Sequence, residues 1–192
     1  MKYGAKKLMW APFAAENAEP ENARPSYGAA RNLGELNRVS DSPSFKEAKA
    51  YGDNGLARYV NEFKEVGVDV TILDMTHADA SAVMGATLPE GENSALSFGA
   101  EDNAPYGGLA FYVNELLKGN VKKYKGIFYP KVKASMQGEE YSTKGDSITL
   151  TGKNLRFLGT ACNSGEWKVE SPYFATAAEA EAWVDGVFAP KG

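Results

Sequence analysis

Between residues 57 and 73 the apolar side chains change phase. Tyr59 and Phe63 hold odd positions, whereas Val66, Val68, Val70 and Ile72 hold even ones. A strand has a side-chain period of two, so a slip near Lys64-Glu65 marks either a β-bulge or a switch in the covered face. Those seventeen residues would span about 56 Å at about 3.3 Å each. A compact domain of 192 residues is only about 40 Å across, from a radius of gyration of about 16 Å. The strand therefore either breaks at the slip or projects as a hairpin arm that needs a neighbour. Its partner is the weakly alternating stretch from Leu33 to Tyr51, with Phe45 and Tyr51 in one phase, and Gly52-Asp53-Asn54-Gly55 supplies the turn.

The same pattern predicts the other elements. Residues 5 to 13 form a first strand with Leu8 and Trp10 on one side and Pro12 at its end. Residues 14 to 26 hold three acids, two prolines and no large apolar chain, which predicts an exposed loop. Thr76 to Gly85 reads as a short helix with Thr76 as N-cap, Asp79 at the third helical position, Val83 and Met84 inward and Gly85 as the stop. Gly107 to Glu115 and Lys122 to Lys133 form a second hairpin around Leu117-Lys118-Gly119-Asn120. A loop from Ala134 to Lys144, a strand from Ser147 to Phe157 and a turn at Asn163-Ser164-Gly165 leading into Trp167 to Glu170 follow. Thr176 to Phe188 is amphipathic, with Thr176 and Glu179 as a capping box and Ala180, Trp183, Val184 and Val187 on one face. The sum is mainly β with two short helices. No repeat or linker divides it, so residues 1 to 192 read as one domain, with an exposed loop at 14 to 26 and a long hairpin at 36 to 73.

Composition narrows the chemistry. A 20.7 kDa chain folds to roughly 9,000 Å² of surface when compact, enough burial for a core without staples. Cys162 is the single cysteine, which excludes an intrachain disulfide framework and a cysteine-only zinc site and fits a reducing cytoplasm. No apolar run has the length of a membrane span, and the polar start Met1-Lys2-Tyr3-Gly4-Ala5-Lys6-Lys7-Leu8 lacks a signal-peptide core, so the protein is expected to stay where it is made. A net charge of -4 argues against general affinity for nucleic-acid phosphates. The lysine run from Lys118 to Lys133, interleaved with Tyr124, Phe128 and Tyr129, imitates a single-strand binder. Its plainer reading is a lysine-flanked hairpin, with Lys131 and Lys133 guarding a strand end. His77, the only histidine, sits at a first helical position, where an exposed polar residue is ordinary. No metal-ligand spacing, phosphate loop or dinucleotide fingerprint is present. Acid pairs such as Glu101-Asp102 and Glu139-Glu140 fall in polar turn sequence. No cofactor, no metal and no catalytic activity are expected.

Several strings in fixed order resemble the major tail protein, or tail tube protein, of long non-contractile-tailed bacteriophages. They are Asp102-Asn103-Ala104-Pro105-Tyr106, a strand ending Phe111-Tyr112, then Phe128-Tyr129-Pro130-Lys131-Val132-Lys133, then Thr143-Lys144-Gly145-Asp146-Ser147-Ile148. Ala50-Tyr51-Gly52-Asp53-Asn54-Gly55 followed by Val66 to Leu73 is a looser match. The likeness covers about Leu8 to Phe188 and departs at Thr149-Leu150-Thr151-Gly152-Lys153, where the family often has an aromatic-Gln-Thr-Pro segment.

The resemblance implies a β-sandwich or barrel-like tail tube fold flanked by a helix, in hexameric rings whose inner sheets join into a continuous barrel. The rings would stack into a hollow tail through which phage DNA passes without specific binding. The tape measure, tail terminator and distal tail proteins would be partners, and the virion tail, assembled in the host cytoplasm, the location. On this reading Val66, Val68, Val70 and Ile72 face the subunit core, and Gly67, Asp69 and Thr71 face the bore, where small and acidic side chains repel phosphate. Glu16, Glu19 and Glu21 in the first loop, with Asp53 and Asn54 in the hairpin turn, are the candidates for contacts between subunits or rings. Tube proteins of contractile tails and of type VI secretion resemble the same fold. Two readings from other classes stay open: a carbohydrate-binding sandwich with an aromatic platform at Tyr124, Phe128 and Tyr129, and a small acid-dependent hydrolase.

Overall fold

The computed structural model describes residues 1–15, 19–52, 55–90, 94–139 and 152–189. Among them the order is β1 (Lys2–Pro12), β2 (Arg31–Asn32), β3 (Leu36–Gly52), β4 (Gly55–Ile72), α1 (His77–Met84), β5 (Tyr106–Leu116), β6 (Lys122–Met136), β7 (Lys153–Gly159), β8 (Val169–Glu170) and α2 (Ala177–Gly186). The strands form one antiparallel sheet in the order β2-β1-β5-β6-β7-β4-β3, with β8 added on β6. The layers expected of a sandwich therefore come from one continuous sheet whose inner face curls around a common core.

That core joins Leu8 and Trp10 of β1, Val66, Val68, Val70 and Ile72 of β4, Leu109 and Phe111 of β5, Tyr129 and Val132 of β6, and Leu155 and Phe157 of β7. A second cluster lies on the opposite face of β1, β5 and β6, where Ala110, Tyr112 and Phe128 pack on Ala180, Val184, Val187 and Phe188. Covering on both faces explains why β5 is buried almost without alternation from Gly107 to Asn114, whereas β7, covered on one face, alternates. Gly126 is part of the design: a Cβ there would lie 2.2 Å from Cε3 of Trp183, so the indole seats against bare backbone.

The irregularities are bulges. Gly107 pairs Val132 and Leu109 pairs Tyr129, so Pro130 and Lys131 oppose Gly108 alone. A bulge is one of the few places where an interior strand accepts proline. Two more shifts bend β1 between Tyr3 and Lys6 and between Lys6 and Met9. Lys7 there takes a φ of 56°. These bends let β1 begin at Lys2, three residues before its pattern announces it.

Both helices form as their caps dictate. The Thr76 hydroxyl accepts the Asp79 amide and Gly85 closes α1 at a φ of 73°. The Thr176–Glu179 capping box is complete. Three expectations change. β6 runs on to Met136, because Ala134 pairs Phe157 and Met136 pairs Leu155, so the loop expected from Ala134 starts later. β6 is also an interior strand, so Lys131 and Lys133 guard no edge; they reach over the Tyr106 ring at 5.3 and 5.4 Å. The strand expected from Ser147 is described only from Lys153, and residues 147 to 151 lie outside the described residues. No described helix is long and apolar enough to cross a membrane.

Candidate functional site

The phase slip is a bulge, and it divides the long hairpin into a base and an arm. Ser44 pairs Glu65 and Phe45 pairs Phe63, which leaves Lys64 as the extra residue. On the base side Val66 to Ile72 pair with β7 as well as β3. Among the described residues, β4 beyond the bulge has no partner but β3, and β3 pairs only with β4 along its whole length. Among those residues the arm is a two-stranded ribbon with two free edges. Its last enclosed contact is the Phe63 ring stacked on Trp167, with centroids 4.4 Å apart and planes 11° from parallel.

Because of the extra residue, odd positions of β4 beyond the bulge continue the core-facing side. Opposite pairs Phe45/Phe63, Glu47/Asn61 and Lys49/Tyr59 then line that side outward from Trp167. Phe45 packs edge-on against Phe63, and Tyr59 donates to Glu47 at 2.9 Å. That hydrogen bond, with Lys49 nearby, holds the Glu47 carboxyl below the usual carboxylate range. Nothing described covers the stripe: Tyr51 is 74% exposed, Tyr59 48% and Phe45 44%. The whole chain exposes 11860 Å², about a third more than a compact domain of its mass.

At the arm's base the curled sheet does not close. The edges of β1 at Lys2–Ala5 and of β3 at Asn37–Asp41 face each other across a cleft of about 300 Å³ floored by Phe111, Val113 and Ile127, and no ladder joins them. A polar pin beside the seam ties β3 to β6 and to the segment before β8. Asp41 accepts the Tyr129 hydroxyl and the Lys168 ammonium, each at 2.7 Å. Burial pushes the Asp41 carboxyl up, but those two donors outweigh it and hold it below the usual range. Burial and the same bond raise the Tyr129 phenol. The sequence carries a signal for this residue: Asp41 is an acid in the core-facing phase, two residues from Val39 and Pro43.

The three residues expected on the bore share one face, opposite the valines. Thr71 donates to Asn154 Oδ1 at 2.8 Å, and Asp69 lies 3.6 Å from Arg156. Gly67 is covered rather than open, since a Cβ on it would sit 2.6 Å from Arg156 Nη2. That face is thus mixed in charge. Register places Arg156 of β7 beside Asp69 and Arg38 of β3 beside Thr71, and β4 read alone could not show its neighbours.

The first loop is docked, not loose. Arg24 grips Glu166 through two bonds of 2.5 and 3.0 Å, and Pro25 is buried. Glu19 accepts Lys131 at 2.6 Å and the Asn163 amide at 2.7 Å, so it anchors the loop within its own chain. Charge rather than apolar surface holds this segment, which a hydrophobicity reading cannot see. Glu21 is exposed; Glu16, Asp53 and Asn54 lie outside the described residues. Phe128 and Tyr129 are buried, so they cannot form a carbohydrate platform with Tyr124. The lysine run is largely engaged within the chain: Lys125 pairs Glu170, Lys131 pairs Glu19 and Lys133 donates to Asn103. His77 is exposed at the start of α1.

No family model matches the chain, and no curated protein matches it either.

Proposed function

We propose that this chain is a structural subunit that polymerises with copies of itself: a tail tube protein of a long non-contractile bacteriophage tail, not an enzyme. Hexameric rings would stack into a hollow tube, their sheets joined edge to edge, and genome would pass down the bore. The observation that carries this reading is the arm. A two-stranded ribbon in water is marginal alone, and a long free strand edge with exposed aromatics invites pairing. A seventeen-residue β3 with one side unpaired among the described residues fits a molecule completed by its neighbours. The surplus surface supports it, since stable contacts bury about 800 Å² per partner and the surplus here is several times that. On the face bearing Asp69, Thr71 and Arg156, Arg156 already has an acid beside it and is a poor anchor for phosphate, whereas Arg38 beside Thr71 is the cation that a passing genome would meet. Tape measure, terminator and distal tail proteins are the partners this reading implies at the tube's ends, and the virion tail its location.

Negative-stain microscopy of the purified protein over a concentration series tests the proposal. Rings or tubes of uniform diameter are expected. A monodisperse species of 20.7 kDa at every concentration overturns it.

A further inference from the structure

The two ends of β5 are flanked by sequence runs of opposite charge. β5 runs from Tyr106 to Leu116. At its start lie residues 85 to 90 and 94 to 105, drawn together where Gly85 abuts Asn103 and Thr87 bridges Ser97. From 88 to 105 the sequence contains Glu90, Glu92, Glu101 and Asp102 and no basic residue; Lys133 of β6 reaches this end and is held there by Asn103. Glu90 and Glu101 are exposed and, among the described residues, neither is in an ion pair. At the far end the turn from Leu117 to Val121 joins β5 to β6, and residues 117 to 125 hold Lys118, Lys122, Lys123 and Lys125 with no acid. Lys123 stands opposite Glu115 and Lys125 pairs Glu170. Lys118 and Lys122 are exposed and unpaired among the described residues, Lys122 lying over the Tyr124 ring.

The eleven residues of β5 set the ends about 35 Å apart. That is several times the roughly 8 Å Debye length at physiological salt, so the two charge groups gain almost nothing from each other within one molecule. They gain only by meeting across a contact. Two different, complementary patches at opposite ends make that contact heterologous, and repeated along the strand direction it builds an open array rather than a closed dimer.

We infer that a second copy of this chain docks end to end, the Lys118/Lys122 turn of one molecule against the Glu90/Glu101 end of the next, and that this pairing sets the direction of axial stacking. It rests on the self-assembly proposed above and assigns the contact between successive rings, a role the sequence suggested for the first loop and the hairpin turn.

The test is a charge swap. Lys118→Glu with Lys122→Glu reverses one end, and Glu90→Lys with Glu101→Lys reverses the other. All four side chains are exposed, so melting temperatures matching the native protein are expected, with the alanine and glutamine versions as a milder series. Each reversal alone raises the concentration needed for tubes about tenfold or more, equivalent to about 1.4 kcal/mol, and leaves single rings. Mixing the two reversed ends in one chain restores stacking. Raising salt from 0.15 to 1 M weakens the native polymer and spares the rings. Reversals that leave tube formation unchanged, or a fourfold variant that fails to recover while both parents melt normally, overturn the pairing and leave the tube proposal standing. Native protein that never polymerises overturns both.

Discussion

Phe63→Ala removes the contact that anchors the arm at its base. The Phe63 ring stacks on Trp167 and packs edge-on against Phe45, and the extra residue Lys64 is what keeps it on the core-facing side. A half-buried phenylalanine covers about 100 Å², worth about 2.5 kcal/mol, and the ring stack adds about 1 kcal/mol. The substitution should cost about 3 kcal/mol in all. For a chain of this size that lowers the melting temperature by about 6–12 °C. Urea titration followed by tryptophan fluorescence reads it, with Trp167 as a reporter beside the lost contact. Lys64→Ala, which removes only a surface pair with Glu65, is the control and should stay within about 0.5 kcal/mol of the native protein. A Phe63→Ala variant as stable as that control would show that the stack on Trp167 does not anchor the arm.

Asp41→Asn removes the charge from the seam pin. With the carboxylate partly exposed, the expected loss is about 1 kcal/mol at neutral pH. The folded-state carboxyl is held below its ordinary value of 3.8, so its contribution is full above that pH and disappears as pH falls through the depressed value. Acid titration of stability should show a shallower acid limb in the variant than in the native chain. Gly126→Ala drives a methyl into the Trp183 ring and should cost about 1–3 kcal/mol by thermal melting. Thr176→Ala breaks the α2 capping box and should cost about 1 kcal/mol, loosening the helix over β1, β5 and β6; amide exchange at Ala180 and Val184 would rise with it.

Where one strand's own pattern decides the structure, the sequence could be read. The four even-phase residues Val66 to Ile72 are buried, the slip at Lys64 is a bulge, and both caps close on the residues that announce them. Chain length against domain diameter left two choices, a break at the slip or a projecting arm, and β4 runs on unbroken past its bulge. Features that depend on neighbours were not readable. Gly67 is covered by Arg156, which lies 89 positions later in the chain (156 − 67), and the register that brings them together belongs to the sheet. The first loop lacks apolar side chains, yet Arg24 and Glu19 dock it through charged partners beyond residue 130. β2 has only two residues, too few for any period. The seam pin lies between: Asp41 in a core-facing phase is a visible anomaly, but its partners Tyr129 and Lys168 come from other strands.

Amide hydrogen exchange along the arm, in dilute protein and in assembled protein, tests the central claim most directly. If copies complete one another's sheet, backbone amides of β3 between Phe45 and Tyr51 and of β4 between Arg58 and Phe63 exchange fast in the dilute state and slow by about a hundredfold or more on assembly. That is the protection expected when local opening must first break a sheet. Equal exchange in both states, with assembled particles confirmed present, would contradict the account.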